Sequence, residues 1–507
     1  MITTTEIKKA ALLKKASVLA EGLLDPAERT SAKRFIAEFY AHVPPADVAE
    51  RSPRNLYGAA LELWHLGERR RPRQAKVRVH NPDPMADGWS SPHTIVEIVN
   101  DDMPFLVDSV TGAINASNRV VHLIIHPILT VARGEDGQLF DVLDPGAAGC
   151  RESWMQIEIT PEHDATALAQ LTRTLSAVLA DVRMAVDDWQ PMRTVLREMV
   201  DSLSGQASPV PHAELNEVQD FLCWLDDDNF TFLGFREYVF NGVAKPEYEP
   251  LGVLRDETHP IFGGLRDLSS LPSDVQDFVR RRELLVVTKS NRRSTVHRTA
   301  HMDAIGVRRF GPSGDVVGVR VLLGLFTSLA YSRDPRSIPL LRLKVRRIVE
   351  RSGFSPTSHD GKALLHILDT FPRDELFQTD EDQLFDTAAG ILNLQSASGL
   401  RYSSAATRWS GSSPASSMCR ATAMTASCAA VSRKYSKRRT PAGYRPSIRI
   451  SMNRRWRVSI SSFARPEVQF QRSISQPWSR DWQMPDVVGW TGSRRLPRRP
   501  LAATKRV

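Results

Sequence analysis

A β-branched, apolar run with one acidic interruption, TIVEIV at residues 94–99, leads straight into Asn100-Asp101-Asp102 and then Met103-Pro104-Phe105-Leu106. The run has the composition of a half-buried strand. Pro104 falls where a helix tolerates proline, in its first turn, and Asp101 or Asp102 can accept from the free N–H groups there. Apolar residues recur at Leu106, Val110, Ala113 and Ile114, a helical spacing, before a second strand-like run, VVHLIIH, at 120–126. Strand, acidic loop, helix, strand is the front half of a ferredoxin-like α/β sandwich.

The flanks complete that unit. Residues 5–68 read as helices broken at Pro26, Pro44-Pro45 and Pro53, and Arg69-Arg70-Arg71-Pro72-Arg73 reads as a solvated basic linker. Residues 76–80 open the unit as a strand, Gly134-Glu135-Asp136-Gly137 makes a turn, and 154–159 alternate as a strand. After Pro161, the stripe Leu168, Leu171, Leu175, Val178, Leu179, Val182 and Val186 keeps a 3.6-residue period. The order is β-α-β-β-α.

A polar Ser/Pro/Gly linker at 201–213 precedes a helix through Leu215, Val218, Phe221, Leu222 and Leu225, then an Asp226-Asp227-Asp228-Asn229 turn. Strands are predicted at 230–240, 284–289, 296–298, 305–310 and 316–325, with a hairpin at Gly311-Pro312-Ser313-Gly314-Asp315, so this sheet is mostly antiparallel. Residues 336–394 return to helix: Ser358 stands ahead of Leu364, Leu365 and Ile367, and Thr379 with Asp382 resembles a capping box.

The strings DDMPFLVDSV and HLIIHPIL, with ESWMQIEI (152–159), DDNFTFLGFREY (227–238), LLVVTKSNRRSTVHR (284–298), LGLFTSLAYSR (323–333), GFSPTSHDGKALL (353–365) and FPRDELFQTDEDQLF (371–385), carry a resemblance. They resemble the N-terminal region of the large bacterial NAD-specific glutamate dehydrogenases and cover most of 90–395 in order. The resemblance implies an α+β protein: a helical cap at 1–75, an ACT-like ferredoxin-type sandwich at 76–200, a PAS-like module at 201–335 and a helical segment at 336–395. It also implies that the dehydrogenase domain, which uses NAD to convert L-glutamate to 2-oxoglutarate and ammonia, lies downstream of this chain's last residue. The expected role is regulatory and architectural, with homo-oligomer contacts through ACT-like modules, an amino-acid effector, and the missing catalytic region as partner.

Charge divides the chain. The net charge is +9 over 507 residues, yet 396–507 hold 22 Lys+Arg against 3 Asp+Glu, while 1–395 hold 45 against 55. Past Ser396 no periodicity survives, although half of the ten tryptophans lie there. Disordered tails avoid tryptophan. Back-translating 396–431 and reading from the third codon base yields alternating strings such as LALFV and ASFVYV, matching how the family continues into a further ACT-type module. The tail therefore reads as a shifted frame without evolved fold or function. An alternative is binding of nucleic acid or an anionic surface through the Arg-rich tail, detectable as salt-sensitive binding; a third reading is a stand-alone amino-acid sensor. No run approaches the ~18 apolar residues of a membrane span, and four cysteines without a CxxC pair suit a reduced, cytoplasmic chain.

Two groups of residues are candidate sites. Asp101, Asp102, Met103 and Phe105 form the loop where the resemblance implies effector binding: helix N-terminal N–H groups suit a carboxylate, and Asp101 or Asp102 an ammonium. Capping alone explains acidic residues there, so a capped helix in a solvated loop is the plainer reading. Lys289, Arg292, Ser294, Thr295, His297 and Arg298, with Ser290 and Arg293 between them, could cradle an anion or anionic partner; pairing with the acidic body is the plainer reading. Arg342, Lys344, Arg346, Arg347 and Arg351 read as a salt-bridged helix face. His122 and His126, four apart on a predicted strand, lie about 13 Å apart at ~3.3 Å per residue and cannot share one metal ion. No G-x-G-x-x-G follows a strand and Gly306, Gly311 and Gly314 have the wrong spacing, so no catalytic, cofactor-binding or metal residue is assigned.

Overall fold

Thr3 and Glu6 begin the fold with a capping box: the Glu6 N–H donates to the Thr3 hydroxyl at 3.3 Å and the Thr3 N–H to the Glu6 carboxylate. A computed structural model of the chain describes residues 3–396, apart from 27, 145, 206–209, 241–245, 257–280 and 282. The basic tail, and the shifted-frame reading of it, lie outside the described residues. Helices α1 (Thr4–Leu23), α2 (Arg29–Ala41), α3 (Pro45–Ala49) and α4 (Pro53–Gly67) break at the prolines. Ser52 caps α4 through the Asn55 N–H at 3.1 Å, with Pro53 in the first turn, where its missing N–H costs nothing.

The first sheet contains β1 (Lys76–His80), β2 (Thr94–Asp101), β3 (Val121–Ile125), β4 (Ile128–Arg133), β5 (Leu139–Leu143) and β6 (Cys150–Ile159). Its order is β1-β2-β6-β4-β5, with β3 beside the other end of β6, and every pairing is antiparallel. The strand-like run at 120–126 stops at His126-Pro127, where proline has no N–H to give the ladder, and β4 starts anew at Ile128. A ferredoxin-like unit takes its outer strand from the end of the chain segment; here β1, which comes first, fills the edge beside β2.

Helices α5 (Leu106–Ala116) and α6 (Ala165–Asp187) cover one face of this sheet, and α1, α2 and α4 the other. Strand alternation sorts the side chains: Val96, Ile98, Met155 and Ile157 face α5 and α6, whereas Val99 and Trp154 face the cap. At Asp188 the chain turns into α7 (Trp189–Gly205), followed by α8 (His212–Trp224) and a tight turn, Leu225–Asn229.

The second sheet, β7 (Phe230–Val239), β8 (Leu251–Gly252), β9 (Leu285–Arg293), β10 (His301–Phe310) and β11 (Val316–Phe326), has the order β8-β7-β11-β10-β9, again antiparallel throughout. One face, with Leu233, Tyr238, Val319, Val321 and Leu323, shares a core with α5 and α6. The opposite face packs on α7, α8 and the closing helices α9 (Ser328–Ser332), α10 (Leu341–Ser352), α11 (His359–Thr370), α12 (Arg373–Gln378) and α13 (Glu381–Ser396). The result is helices, sheet, helix pair, sheet, helices. None of the described helices is long and apolar enough to cross a membrane.

Four local expectations are corrected. The basic run at 69–73 is not uniformly solvated, because Arg70 is 2% exposed and paired with the buried Glu152. Residues 296–298 form a loop instead of a strand: the Ser294 hydroxyl bonds both the N–H and the carbonyl of Val296, and His297 sits at φ 66°. Neither Asp101 nor Asp102 caps α5, which has Phe105 at φ 70° ahead of it and no side-chain cap. At α13 the side chain that accepts from the first turn is Asp380, bonded to the Gln383 N–H at 2.8 Å, while Thr379 is turned inward.

Candidate functional site: an ion-paired joint between the two sheets

Asp101 ends β2 beside Glu152 on β6. Arg70 reaches both, with 2.7 Å to Asp101 Oδ1 and 2.6 Å to Glu152 Oε1. Glu152 is 0% exposed and also receives Arg133 Nε at 2.6 Å, so one carboxylate lies between two guanidiniums. Arg133 spends a further nitrogen on the Gly67 and Gly137 carbonyls at 2.8 and 2.9 Å, joining the end of α4 to the β4–β5 turn. That turn requires Gly137, at φ +84°, where an added Cβ would sit 2.5 Å from the Arg70 carbonyl oxygen.

Asp101 Oδ2 takes Arg183 from α6 at 2.7 Å and the Arg73 N–H at 3.1 Å. Burial alone would raise its carboxyl, but Arg70 and Arg183 outweigh burial and hold it below the ordinary range. Asp101 is thus committed to binding the linker and α6. Asp102 faces outward to Arg151 at 3.0 Å.

Phe105 meets the second predicted group. Its ring centroid lies 5.0 Å from that of His297, whose N–H donates to the Ser109 hydroxyl at 2.9 Å and whose Nδ1 lies 3.1 Å from Asp108. Thr295 donates to Asp181 on α6 at 2.7 Å. Met103 and Phe105 pack against the core shared by α5, α6 and the second sheet. The two groups, almost 190 residues apart in sequence, therefore form one contact zone.

The other end of that strip points the opposite way. Lys289 Nζ lies 2.6 Å from Asp303 on β10 and 3.1 Å from Asp374 on α12, and Tyr331 donates to Asp374 at 2.8 Å. Burial works against the Lys289 charge, but Asp303 and Asp374 outweigh it and hold the ammonium above its ordinary range. Arg298 donates to the Phe326 carbonyl and stands over the Tyr331 ring at 5.5 Å. Arg292 lies at the end of β9, its N–H bonded to the Ser290 hydroxyl at 3.1 Å. Residues 289–298 accordingly bridge the α5–α6 pair and the closing helices.

Sequence reading missed Ser109, Asp303, Asp374, Arg133 and Glu152. Asp303 carries a signal, a lone carboxylate within the apolar strand HMDAIGV. The histidines weighed for metal binding are placed apart: His122 stacks on His93 at 4.4 Å, and His126 Nε2 lies 2.7 Å from the Ser153 hydroxyl. Of the basic helix face on α10, Arg342 pairs with Glu217 and Arg347 with Glu381, both at 2.9 Å.

Two antiparallel sheets that share a helix pair and are cross-braced by buried ions define an α+β protein of ACT type. The family description "Glutamate dehydrogenase, ACT1 domain" matches residues 35–175, and "Glutamate dehydrogenase, helical motif 1" matches residues 338–397. The chain belongs to the NAD-specific glutamate dehydrogenase family and carries its N-terminal region. It is similar to the "NAD-specific glutamate dehydrogenase" of Halomonas elongata, 36% identical over 394 residues, covering 76% of this chain and 24% of that protein. The namesake of Pseudomonas aeruginosa is 35% identical over 374 residues, 72% of this chain and 23% of its own. That of Mycobacterium tuberculosis is 30% identical over 342 residues, 66% and 20%. The chain spans about a quarter of the length of these curated relatives.

Proposed function

We propose that residues 1–395 are the regulatory and architectural part of an NAD-specific glutamate dehydrogenase, with catalysis residing outside these residues. The intact enzyme would oxidise L-glutamate to 2-oxoglutarate and ammonia while reducing NAD. The observation that carries the reading is the strip 289–298, which bonds α5 and α6 at one end and α12 at the other. A segment tied to both bodies transmits a displacement of one to the other. The 201–335 region acts as a PAS-like coupling module. The protein is cytoplasmic on this reading and assembles as a homo-oligomer through its ACT-like modules.

The described residues do not fit NAD. Every described strand pairing is antiparallel, leaving no crevice at the carboxyl ends of parallel strands, and the β2–α5 turn holds Asp102, Met103, Pro104 and Phe105 where a pyrophosphate cradle needs glycines. An amino-acid effector would meet Asp102, Arg151 and the uncapped first-turn N–H groups of α5, since Asp101 is already bound by arginines.

The test has two arms. The purified chain with L-glutamate and NAD should produce no NADH, and sustained turnover would overturn the placing of catalysis outside residues 1–395. Hydrogen exchange across 289–298, measured with each of the twenty amino acids, should slow with at least one; no change with any would overturn the sensing role.

A further inference from the structure

We propose that Glu62, His80 and Asp87 bind one divalent transition-metal ion that pins the helical cap to the first sheet. Glu62 comes from α4, His80 ends β1, and Asp87 lies in the connection to β2. One ligand atom from each lies within 4.8 Å of the others.

The imidazole is arranged as a ligand. His80 is 18% exposed, and its Nε2 is buried without a hydrogen-bond partner while facing Glu97 Oε2 at 3.4 Å. Its Nδ1 faces Glu62 Oε1 at 3.8 Å. A metal-bound histidine typically turns its other nitrogen to a carboxylate, which fixes the tautomer. Glu97, fully buried on β2, stands in that position. The Trp89 indole N–H donates to Glu62 Oε2 at 2.7 Å and orients that carboxylate in the same way.

Charge favours a cation. Glu62, Glu97 and Asp87 bring three carboxylates, and Arg78 bridges Glu62 and Glu97, at 3.0 and 2.5 Å. Arg54, close by, spends its Nε on the Gly88 carbonyl instead. An imidazole with two carboxylates suits zinc or manganese better than magnesium, which prefers oxygen and water. Zinc holds nitrogen and oxygen ligands at ~2.0–2.2 Å, so the three atoms must close up; Asp87 is exposed and its Oδ2 accepts from the Asp83 N–H at 2.7 Å, which leaves Oδ1 to turn toward the ion.

The full chain, stripped with EDTA and kept reduced, is titrated with zinc chloride by calorimetry, with magnesium chloride as control. One equivalent of zinc should bind and raise the melting temperature, and magnesium should do neither. Asp87→Asn and His80→Gln should each weaken zinc binding at least about tenfold, with metal-free Asp87→Asn melting as the unsubstituted chain does. Failure to take up one equivalent, or equal affinity in Asp87→Asn, overturns the proposal. If His80→Gln does not fold, Asp87→Asn decides alone. The proposal rests on the cap and stands apart from the regulatory reading.

Discussion

The His297 N–H donates to the Ser109 hydroxyl at 2.9 Å across 188 residues of chain. The same hydroxyl donates to the Phe105 carbonyl at 2.6 Å, so one buried oxygen holds the first turn of α5 and the loop of the second sheet together. Ser109→Ala removes the acceptor and leaves the His297 N–H unpaired, at a cost of about 1–2 kcal/mol. Urea unfolding should report that loss, and exchange should quicken at 294–298 while β1 and β2 stay protected. Uniform quickening would mean that the contact is incidental to the joint.

Glu152 lies between Arg70 and Arg133 with no solvent to replace either. Glu152→Gln keeps the shape, strands the Arg133 guanidinium and leaves Arg70 with Asp101 alone, which costs about 3–5 kcal/mol for a broken buried pair. The Arg69–Asp136 pair, 3.0 Å apart with side chains 69% and 56% exposed, is the control. Asp136→Asn should change stability by less than about 1 kcal/mol. Equal effects of the two substitutions in chemical denaturation would refute this account of the joint.

Asp303 gives the fold a pH dependence. Burial raises its carboxyl to about 6, against an ordinary value of 3.8, even with Lys289 beside it. The folded chain therefore holds that proton more tightly than the unfolded chain, so the associated stability is complete below pH 4 and is lost as pH rises through about 6. Lys289 stays charged in both states across this window and adds no slope. The urea midpoint of the unsubstituted chain, minus that of Asp303→Asn, should fall between about pH 4 and 6 and level above. A flat difference would mean that Asp303 is ionised throughout.

The helical stripe from Leu168 to Val186 was legible because α6 buries its apolar positions at a 3.6-residue period. Strand polarity misled. Glu97 in TIVEIV and Glu152, Gln156 and Glu158 in ESWMQIEI alternate as a solvent face would, yet all four lie buried beneath the helical cap. Local pattern gives the side a residue faces, and only the tertiary partner decides whether that side is wet. For the same reason Arg70 looked like linker: its carboxylates stand 31 and 82 residues away. The members of the candidate site were visible as residue types, but the meeting of Phe105 with His297 depends on stacking two sheets about one helix pair.

Trp154 offers the most direct test of the cap. It is fully buried, its ring centroid lies 5.0 Å from that of Phe35, and Arg133 stands 6.0 Å from its centroid. Gly67, the last residue of α4, leaves the space that the indole fills; a Cβ there would stand 2.0 Å from the ring. Gly67→Ala thus forces the ring or the helix end to shift, and overpacking of this kind costs about 1–3 kcal/mol. Any gain from alanine's better helix propensity is under about 1 kcal/mol at a helix end. The expected result is a lower melting temperature with a changed tryptophan emission spectrum, whereas Gly22→Ala, with nothing within 4 Å of its added Cβ, should be neutral or stabilising. A Gly67→Ala chain as stable as the original would show that cap and sheet are not locked through this indole.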